Sequence, residues 1–167
     1  NDTKVQTIMT HRTDIFSLEQ SRSLNEVLPE VTREGYSRIP VYDENPERIT
    51  GILLVREMMK YVSSKQADIP IGRIMIEPIF VSENRKVNEL FFLFKKEKLN
   101  MAVVMDEYGG LAGIVTLEDV AEELFGELYD ENEKRGREKI TSLPDGTFRI
   151  TGDTSIHQMS DRFRGEF

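Results

Sequence analysis

The sequence predicts an α+β fold built from two copies of one unit, and three observations indicate it. First, LNEVLPEV at residues 24–31 matches VNELFFLF at residues 87–94, an internal repeat at an offset of 63 residues. Second, apolar residues in both segments recur every three or four positions, which is the spacing of a helix with one buried face. Third, two short runs typical of strands follow each helical segment. Each copy is therefore expected to run strand, helix, strand, strand, helix.

The remaining elements follow the same repeat. A short apolar stretch opens each copy. The expected later elements are strands at 39–42 and 52–55 with a helix from Arg56 in copy one, and strands at 102–105 and 112–115 with a helix from Leu117 in copy two. Asn45-Pro46 and Gly109-Gly110 in the connections are typical of turns. One unit buries too little surface to be stable alone, so we expect two units to pack with pseudo-twofold symmetry.

The repeat also sets the expected boundaries along the chain. They place unit 1 at residues 3–63, a polar linker at 64–73, unit 2 at 74–130 and a truncated tail at 131–167. Because the sequence begins with Asn1 rather than with a methionine, we expect it to be a piece of a longer protein.

Composition and motifs argue against several classes of function. The chain has 22 Lys and Arg against 30 Asp and Glu, and its net charge of −8 disfavours nonspecific binding to nucleic acid or an anionic membrane. It has no cysteine, so disulfides and thiolate chemistry are excluded. Two distant histidines, His11 and His157, form no zinc pattern, and no nucleophile or phosphate-loop motif occurs. We therefore expect neither catalytic nor metal-binding residues.

Two phrases indicate a family. SRIPVYDE with GILLVRE in copy one, and MAVVMDEYGGLAGIVTLEDVAEELFGEL in copy two, resemble a tandem of cystathionine-β-synthase (CBS) domains, also called a Bateman module. They are most similar to the cytosolic part of the CorC/HlyC hemolysin-like proteins, a family associated with magnesium and cobalt transport. The resemblance covers residues 3–130, and the tail from ITSLPDG onward resembles the opening of that family's small transporter-associated domain.

The resemblance implies a function as well as a fold. It implies a regulatory module that binds AMP, or ATP with Mg²⁺, and that pairs into a homodimer through its CBS units. It also implies a membrane domain elsewhere in the full-length protein, with this soluble portion on the cytoplasmic side. No nucleic acid partner is implied.

The stretch GIVTLED at residues 113–119 has two interpretations. Thr116 and Asp119 have the spacing of a capping box, in which hydroxyl and acid satisfy backbone N–H groups at a helix start. A helix N-terminus also suits a phosphate, and an acid one turn later can accept from ribose hydroxyls. By similarity to CBS tandems, Thr116 would meet phosphate and Asp119 the ribose. Copy one has Leu54 and Glu57 instead, so we expect one competent site, in copy two.

Other candidate residues would complete a nucleotide cleft. Adenine needs an apolar slot, for which Ile79, Phe80 and Ala102 of copy two are candidates, with core packing as their alternative role. A phosphate chain on an acidic protein needs a cation, for which Arg38 is the candidate, with Tyr36 flanking it. The alternative for Arg38 is a solvated side chain or an ion pair with a neighbouring acid.

Three functions compete at this point. The first is the regulatory nucleotide-binding module, whose ligand would alter how tandems pair and so bias an attached membrane domain. The second is a ligand-free structural dimerisation module, in which Thr116 and Asp119 only cap a helix. The third is a nucleotide hydrolase, for which the sequence supplies no evident base or nucleophile.

Overall fold

The computed structural model describes residues 2–65, 68–126 and 128–129. The expected tail at 131–167 lies outside these residues. The elements in chain order are β1 (Thr10–His11), β2 (Leu18–Glu19), α1 (Leu24–Glu34), β3 (Arg38–Asp43), β4 (Asn45–Leu54), α2 (Val55–Ser63), β5 (Phe80–Ser82), α3 (Val87–Glu97), β6 (Met101–Met105), β7 (Leu111–Thr116) and α4 (residues 117–126). Copy one thus runs β2, α1, β3, β4, α2, and copy two runs β5, α3, β6, β7, α4. This confirms the predicted order and the α+β class.

Helix α1 has sequence-encoded signals at both of its ends. The Glu26 N–H donates to the Ser23 hydroxyl oxygen at 3.2 Å, which caps the first turn. Gly35 ends the helix at a φ of +74°, a left-handed conformation that glycine adopts without a Cβ penalty. The buried face consists of Leu24, Val27 and Val31. The helical spacing in the sequence therefore identified the face that packs on the core.

Two sheets carry the strands. One has the order β2-β3-β4 and the other the order β1-β7-β6-β5. In each sheet the opening strand of a copy runs parallel to the first strand after the helix: Leu18 pairs with Val41, and Phe80 pairs with Val103. The parallel direction follows from the intervening helix, because a crossover connection returns the chain with the same orientation.

The β3–β4 connection is tighter than the sequence predicted. β4 begins at Asn45, so Asn45 and Pro46 belong to a strand and not to a turn. The chain reverses at Glu44, whose φ of +61° allows Asp43 to pair with Asn45. Pro46 is tolerated because β4 is at the edge of its sheet among the described strands, where a missing N–H costs little.

The short segments just ahead of each copy's first strand, at residues 9–11 and 75–76, cross over to the other copy. They are called the opening segments below. Thr10 of β1 pairs with Ile114 of β7, which closes copy two. At the equivalent place in copy one, Ile52 and Ile76 exchange both backbone hydrogen bonds, each 2.9 Å long. Each opening segment therefore adds to the sheet of the opposite copy, and the sequence did not predict this.

The chain divides into two compact units that do not follow the repeat. The α3–α4 unit contains the residues up to Ile8, Asn84–Asn100 and those from Val115, and the two-sheet unit contains Met9–Glu83 and Met101–Ile114. The exchange accounts for this division, because the opening segment of copy one leaves its own copy. The boundaries 3–63 and 74–130 describe the repeat along the sequence, and they stay a prediction.

Two apolar clusters build the core of the two-sheet unit. The first joins α1 and α2 to the sheet β2-β3-β4, and it includes Leu18, Leu24, Val27, Val31, Ile39, Val41, Leu53 and Met58. The second joins the two sheets, through Ile49 and Ile52 of β4 and Met101, Val103, Leu111 and Ile114 of β6 and β7. In the α3–α4 unit, the fully buried face of α3 is Val87, Leu90 and Phe94. The apolar repeat positions are thus core positions in both copies.

Two glycines at equivalent positions, Gly51 and Gly113, make room for the exchanged segments. A Cβ on Gly113 would collide with the backbone oxygen of Thr10 and the side chain of Met9. A Cβ on Gly51 would collide with the side chain of Met75. Met9 and Met75 are themselves equivalent in the repeat, so both closing strands keep a glycine where the opposite segment crosses.

We expect Gly113→Ala to lower the free energy of unfolding by roughly 1–3 kcal/mol, the typical cost of overpacking, because the new methyl meets backbone that cannot rotate away. Gly51→Ala should cost less, since the Met75 side chain has rotatable bonds. Urea denaturation measures both against the wild type, and Gly126→Ala, where a Cβ meets nothing within 4 Å in a helix, should not destabilise. An unchanged midpoint for Gly113→Ala would contradict the close crossing of β1 over β7.

Candidate functional site

Strand β7 ends at Thr116, and the chain turns directly into α4. The Asp119 N–H donates to the Thr116 hydroxyl oxygen at 3.2 Å, and the Thr116 N–H donates to Asp119 Oδ2 at 3.0 Å. The Leu117 N–H donates separately to the Asn100 carbonyl oxygen at 2.9 Å. Both capping side chains are half-buried. The predicted capping box is therefore present, and it satisfies two backbone donors at the helix start.

The cap leaves hydrogen-bonding capacity on the same two side chains. A threonine hydroxyl has one donor proton and two acceptor lone pairs, and the cap uses it as an acceptor. Asp119 uses Oδ2 in the cap, whereas its Oδ1 has no hydrogen bond within the described ranges. The hydroxyl proton and the second carboxylate oxygen are thus available to a ligand, and capping is compatible with binding.

Copy one provides an internal comparison for this pair. Its backbone is alike, because the Val55 N–H donates to the Ser37 carbonyl oxygen at 3.0 Å, at the place equivalent to the α4 start. Its side chains differ: Leu54 gives no side-chain cap, and Glu57 accepts from Lys60 at 3.1 Å. The hydroxyl–carboxylate pair therefore occurs in copy two and not in copy one.

Tyr36 and Arg38 lie beside the copy-one counterpart of the cap. Arg38 begins β3, is half-buried, and pairs with Leu54 in the register of β3 and β4. Tyr36 is 53% exposed and stacks on Phe16, with ring centroids 6.1 Å apart and ring planes inclined by 24°. Both belong to the two-sheet unit, whereas the capping pair belongs to the α3–α4 unit. The structure therefore groups these two candidates with Leu54 and Phe16.

The three apolar candidates have different environments within the two-sheet unit. Ile79 is half-buried, and its carbonyl oxygen accepts from the Val103 N–H at 2.8 Å, which fixes its backbone beside β6. Phe80 is 54% exposed despite its large apolar ring. Ala102 is fully buried, which matches its alternative role in core packing.

The Phe16–Tyr36 stack is a feature that the sequence analysis did not find. Phe16 and Phe80 occupy equivalent positions in the openings IFSL and IFVS, and Tyr36 corresponds to Leu99. In copy one the ring of Tyr36 therefore stacks on Phe16, whereas copy two has the aliphatic Leu99 at the position of Tyr36. The signal was available in the repeat, as an aromatic residue present in one copy alone.

Across residues 2–65, 68–126 and 128–129, no group of three or more His, Cys, Asp and Glu side chains is arranged to hold a metal ion. In the same ranges, no helix combines the length and the apolar character that crossing a bilayer requires. The candidate site consists of hydrogen-bonding and apolar groups.

Comparison with known sequences gives a consistent family. The CBS domain family model matches the chain twice, at residues 5–64 and 71–126. The magnesium and cobalt efflux protein CorC of Vibrio cholerae is 31% identical over 98% of this chain, and its namesake from Salmonella typhimurium is 29% identical over 99%. The chain spans about half the length of these relatives, 56% and 57% respectively.

Solved structures have the same fold. The CBS domain of a bacterial CNNM/CorC family Mg²⁺ transporter in complex with ATP gives a TM-score of 0.71 at 36% identity, covering 74% of this chain and 88% of that chain. A CBS-domain pair with bound AMP from Klebsiella pneumoniae gives a TM-score of 0.63 at 26% identity, covering 73% and 98%. The chain therefore belongs to the CBS domain family, and it is a tandem CBS module of the CorC family.

Proposed function

We propose that this chain is a regulatory module that binds an adenine nucleotide, ATP with Mg²⁺ or AMP, in the cleft of copy two. The observation that carries the proposal is the Thr116–Asp119 pair, which copy two has and copy one replaces on a matching backbone. The similar structures with ATP and AMP bound add support from the family.

Each group of the pair suits one part of a nucleotide. The Thr116 hydroxyl would donate to a phosphate oxygen at the start of α4, where the partial positive charge of the helix favours an anion. Asp119 Oδ1 would accept from the ribose hydroxyls. An ATP-bound Mg²⁺ would be held mainly by phosphate oxygens and water, because Mg²⁺ commonly takes few protein ligands.

The remaining candidates belong to the two-sheet unit, so their roles stay predictions from the sequence. The exposed ring of Phe80 is available for stacking, and Arg38 lies beside Leu54 in copy one. Ala102 is fully buried in the core.

Nucleotide binding would serve as a signal. A ligand shifts an equilibrium only when it binds one arrangement more tightly than another. We propose that it changes how two copies of the module pair, and that this biases a membrane domain linked to magnesium or cobalt transport, with the module on the cytoplasmic side. Its similarity to magnesium and cobalt efflux proteins and to a Mg²⁺ transporter supports the link to transport. We assign the module no catalytic step.

A second candidate function is a dimerisation module without a ligand. Phe92 favours it, because this large apolar side chain is 69% exposed on α3. Phe92 meets Phe91 edge-on, with ring centroids 6.1 Å apart. Exposed aromatic side chains are enriched at subunit interfaces, so α3 is the surface through which we expect two chains to pair.

The two copies allow a matched exchange of side chains. Thr116→Leu/Asp119→Glu gives copy two the residues of copy one, and we expect it to bind ATP and AMP about tenfold or more weakly, a loss of ~1.4 kcal/mol or more. The donor proton is absent and the carboxylate is displaced by one methylene. The reciprocal variant, Leu54→Thr/Glu57→Asp, should keep the wild-type affinity. Isothermal titration calorimetry with and without Mg²⁺ measures both.

The control for lost stability is Ser23→Ala, which removes the cap of α1 but no candidate ligand group. It should bind nucleotide like the wild type. If the wild type gives no heat with any adenine nucleotide at millimolar concentration, the dimerisation module is the better description. Steady nucleotide turnover that the copy-two double variant loses would instead identify an enzyme.

The cap itself predicts a change in stability without nucleotide. Thr116→Ala should lower the free energy of unfolding by about 0.5–2 kcal/mol, because the Asp119 N–H loses its acceptor. Thr116→Ser keeps the hydroxyl, so it should retain most of both stability and binding. Urea denaturation and calorimetry on the same samples separate the two roles. If Thr116→Ala is less stable but binds nucleotide unchanged, the pair is a cap and nothing more.

The oligomeric state tests the role of α3. In sedimentation velocity the wild type should form a dimer, and Phe92→Glu should shift it toward monomer, because a buried charge without a partner destabilises an interface. Tyr108→Glu replaces another exposed aromatic residue, on the β6–β7 turn, and should leave the dimer intact. A wild type that is monomeric at every concentration would rule out pairing through α3.

A further inference from the structure

We propose that one end of the four-stranded sheet is a docking pocket for a protein partner that presents an arginine or lysine side chain. The pocket lies wholly in the two-sheet unit and contains none of the nucleotide candidates. Its charged and aromatic lining residues are His11, Arg12, Glu83, Asp106, Glu107 and Tyr108, and apolar residues beside β1 and in β7 complete it.

Strand pairing brings this lining together from three parts of the sequence. β1 runs antiparallel to β7, so His11 lies opposite Gly113. β5 runs parallel to β6, and the Glu83 N–H donates to the Met105 carbonyl oxygen at 2.9 Å, which puts Glu83 beside the end of β6. The strand ends thus converge on a cavity of about 450 Å³, within the ~300–1,000 Å³ of typical binding clefts.

The turn between β6 and β7 holds the edge of the pocket in a fixed shape. Asp106 Oδ1 accepts from the Tyr108 N–H at 2.9 Å and from the Gly110 N–H at 2.8 Å. Gly109 supplies the left-handed conformation, with a φ of +78°. This turn holds Tyr108 with 94% of its surface exposed. A ring so exposed contributes nothing to the core, and tyrosine is enriched at protein interfaces.

The pocket has negative charge that no described residue neutralises. Its lining has three carboxylates and one guanidinium, and Arg12 already pairs at 3.0 Å with Glu47, which lies outside the lining. Within the part of the chain that the structure describes, the carboxylates of Glu83 and Glu107 have neither a hydrogen bond nor an ion pair. The uncompensated charge is complementary to a cation.

A side chain presented by a partner fits this site better than a bare ion. A guanidinium can donate to a carboxylate through two parallel bonds and can stack on a tyrosine ring. The pocket is open to solvent, which admits a side chain from a protein surface. A metal ion would need a set of converging ligands, and the described residues form no such group. We therefore assign the pocket to a basic segment of a protein.

The test titrates the whole chain with the peptide acetyl-GRGRGRG-amide at low salt. We expect calorimetric binding, with amide chemical shifts changing at Glu83, Glu107 and Tyr108. Glu83→Gln/Glu107→Gln should weaken binding roughly tenfold, since each exposed charge pair contributes up to about 1 kcal/mol. The control Glu97→Gln/Glu122→Gln removes two exposed carboxylates outside the pocket and should bind like the wild type.

Four results would overturn the assignment. Equal weakening in both double variants would mean general attraction to an acidic chain. Argininamide binding as tightly as the peptide, or MgCl₂ alone moving the same amide signals, would mean a small cation and not a protein segment. Absence of peptide binding to the wild type would remove the site. The pocket variant should still bind ATP like the wild type, so this proposal and the nucleotide proposal fail separately.

Discussion

The backbone pairing between each opening segment and the opposite closing strand is the constraint on which the rest of the structure depends. Thr10 with Ile114, and Ile76 with Ile52, join the two copies by main-chain hydrogen bonds. Main-chain bonds hold strands in one register, and here they need a strand surface without side chains at the crossing. The two glycines of the closing strands follow from that need, as does a division into compact units that cuts across the repeat.

Comparison of the two copies shows whether the second helix of a unit needs a side-chain cap in order to form. Helix α2 begins after Leu54 with no side-chain cap, so a helix can form at this place without a hydroxyl. Its stability comes instead from packing, through residues such as Met58, as is usual for helices in folded proteins. The fold alone therefore does not require Thr116 and Asp119 at this position.

Much of the fold could be predicted from local patterns. Helical spacing identified the buried faces of α1 and α3, and the Thr–x–x–Asp spacing identified the cap on α4. The exchange could not be predicted, because β1 has only two residues and its partner lies more than a hundred positions away. Local turn preference also failed at Asn45-Pro46, where pairing with β3 extends the strand and shifts the reversal to Glu44.

The candidate site was predictable only in part, for a related physical reason. A capping box is a contact over three residues, so the sequence specifies it directly. The stack of Tyr36 on Phe16 and the complete burial of Ala102 depend on tertiary packing, which periodicity does not encode. The acidic pocket depends on three separate segments that meet at strand ends, so no local sequence motif predicts it.

The position of β1 has a mechanical consequence. Thr10 is bonded to Ile114, and β7 continues from Ile114 for only two more residues before it reaches Thr116. Tension applied to the chain ahead of β1 would first load the bonds of Thr3 and Val5 to Val87 and Arg85, each 2.9 Å long. The pairing of β1 with β7 is therefore shielded from force applied at the start of the chain.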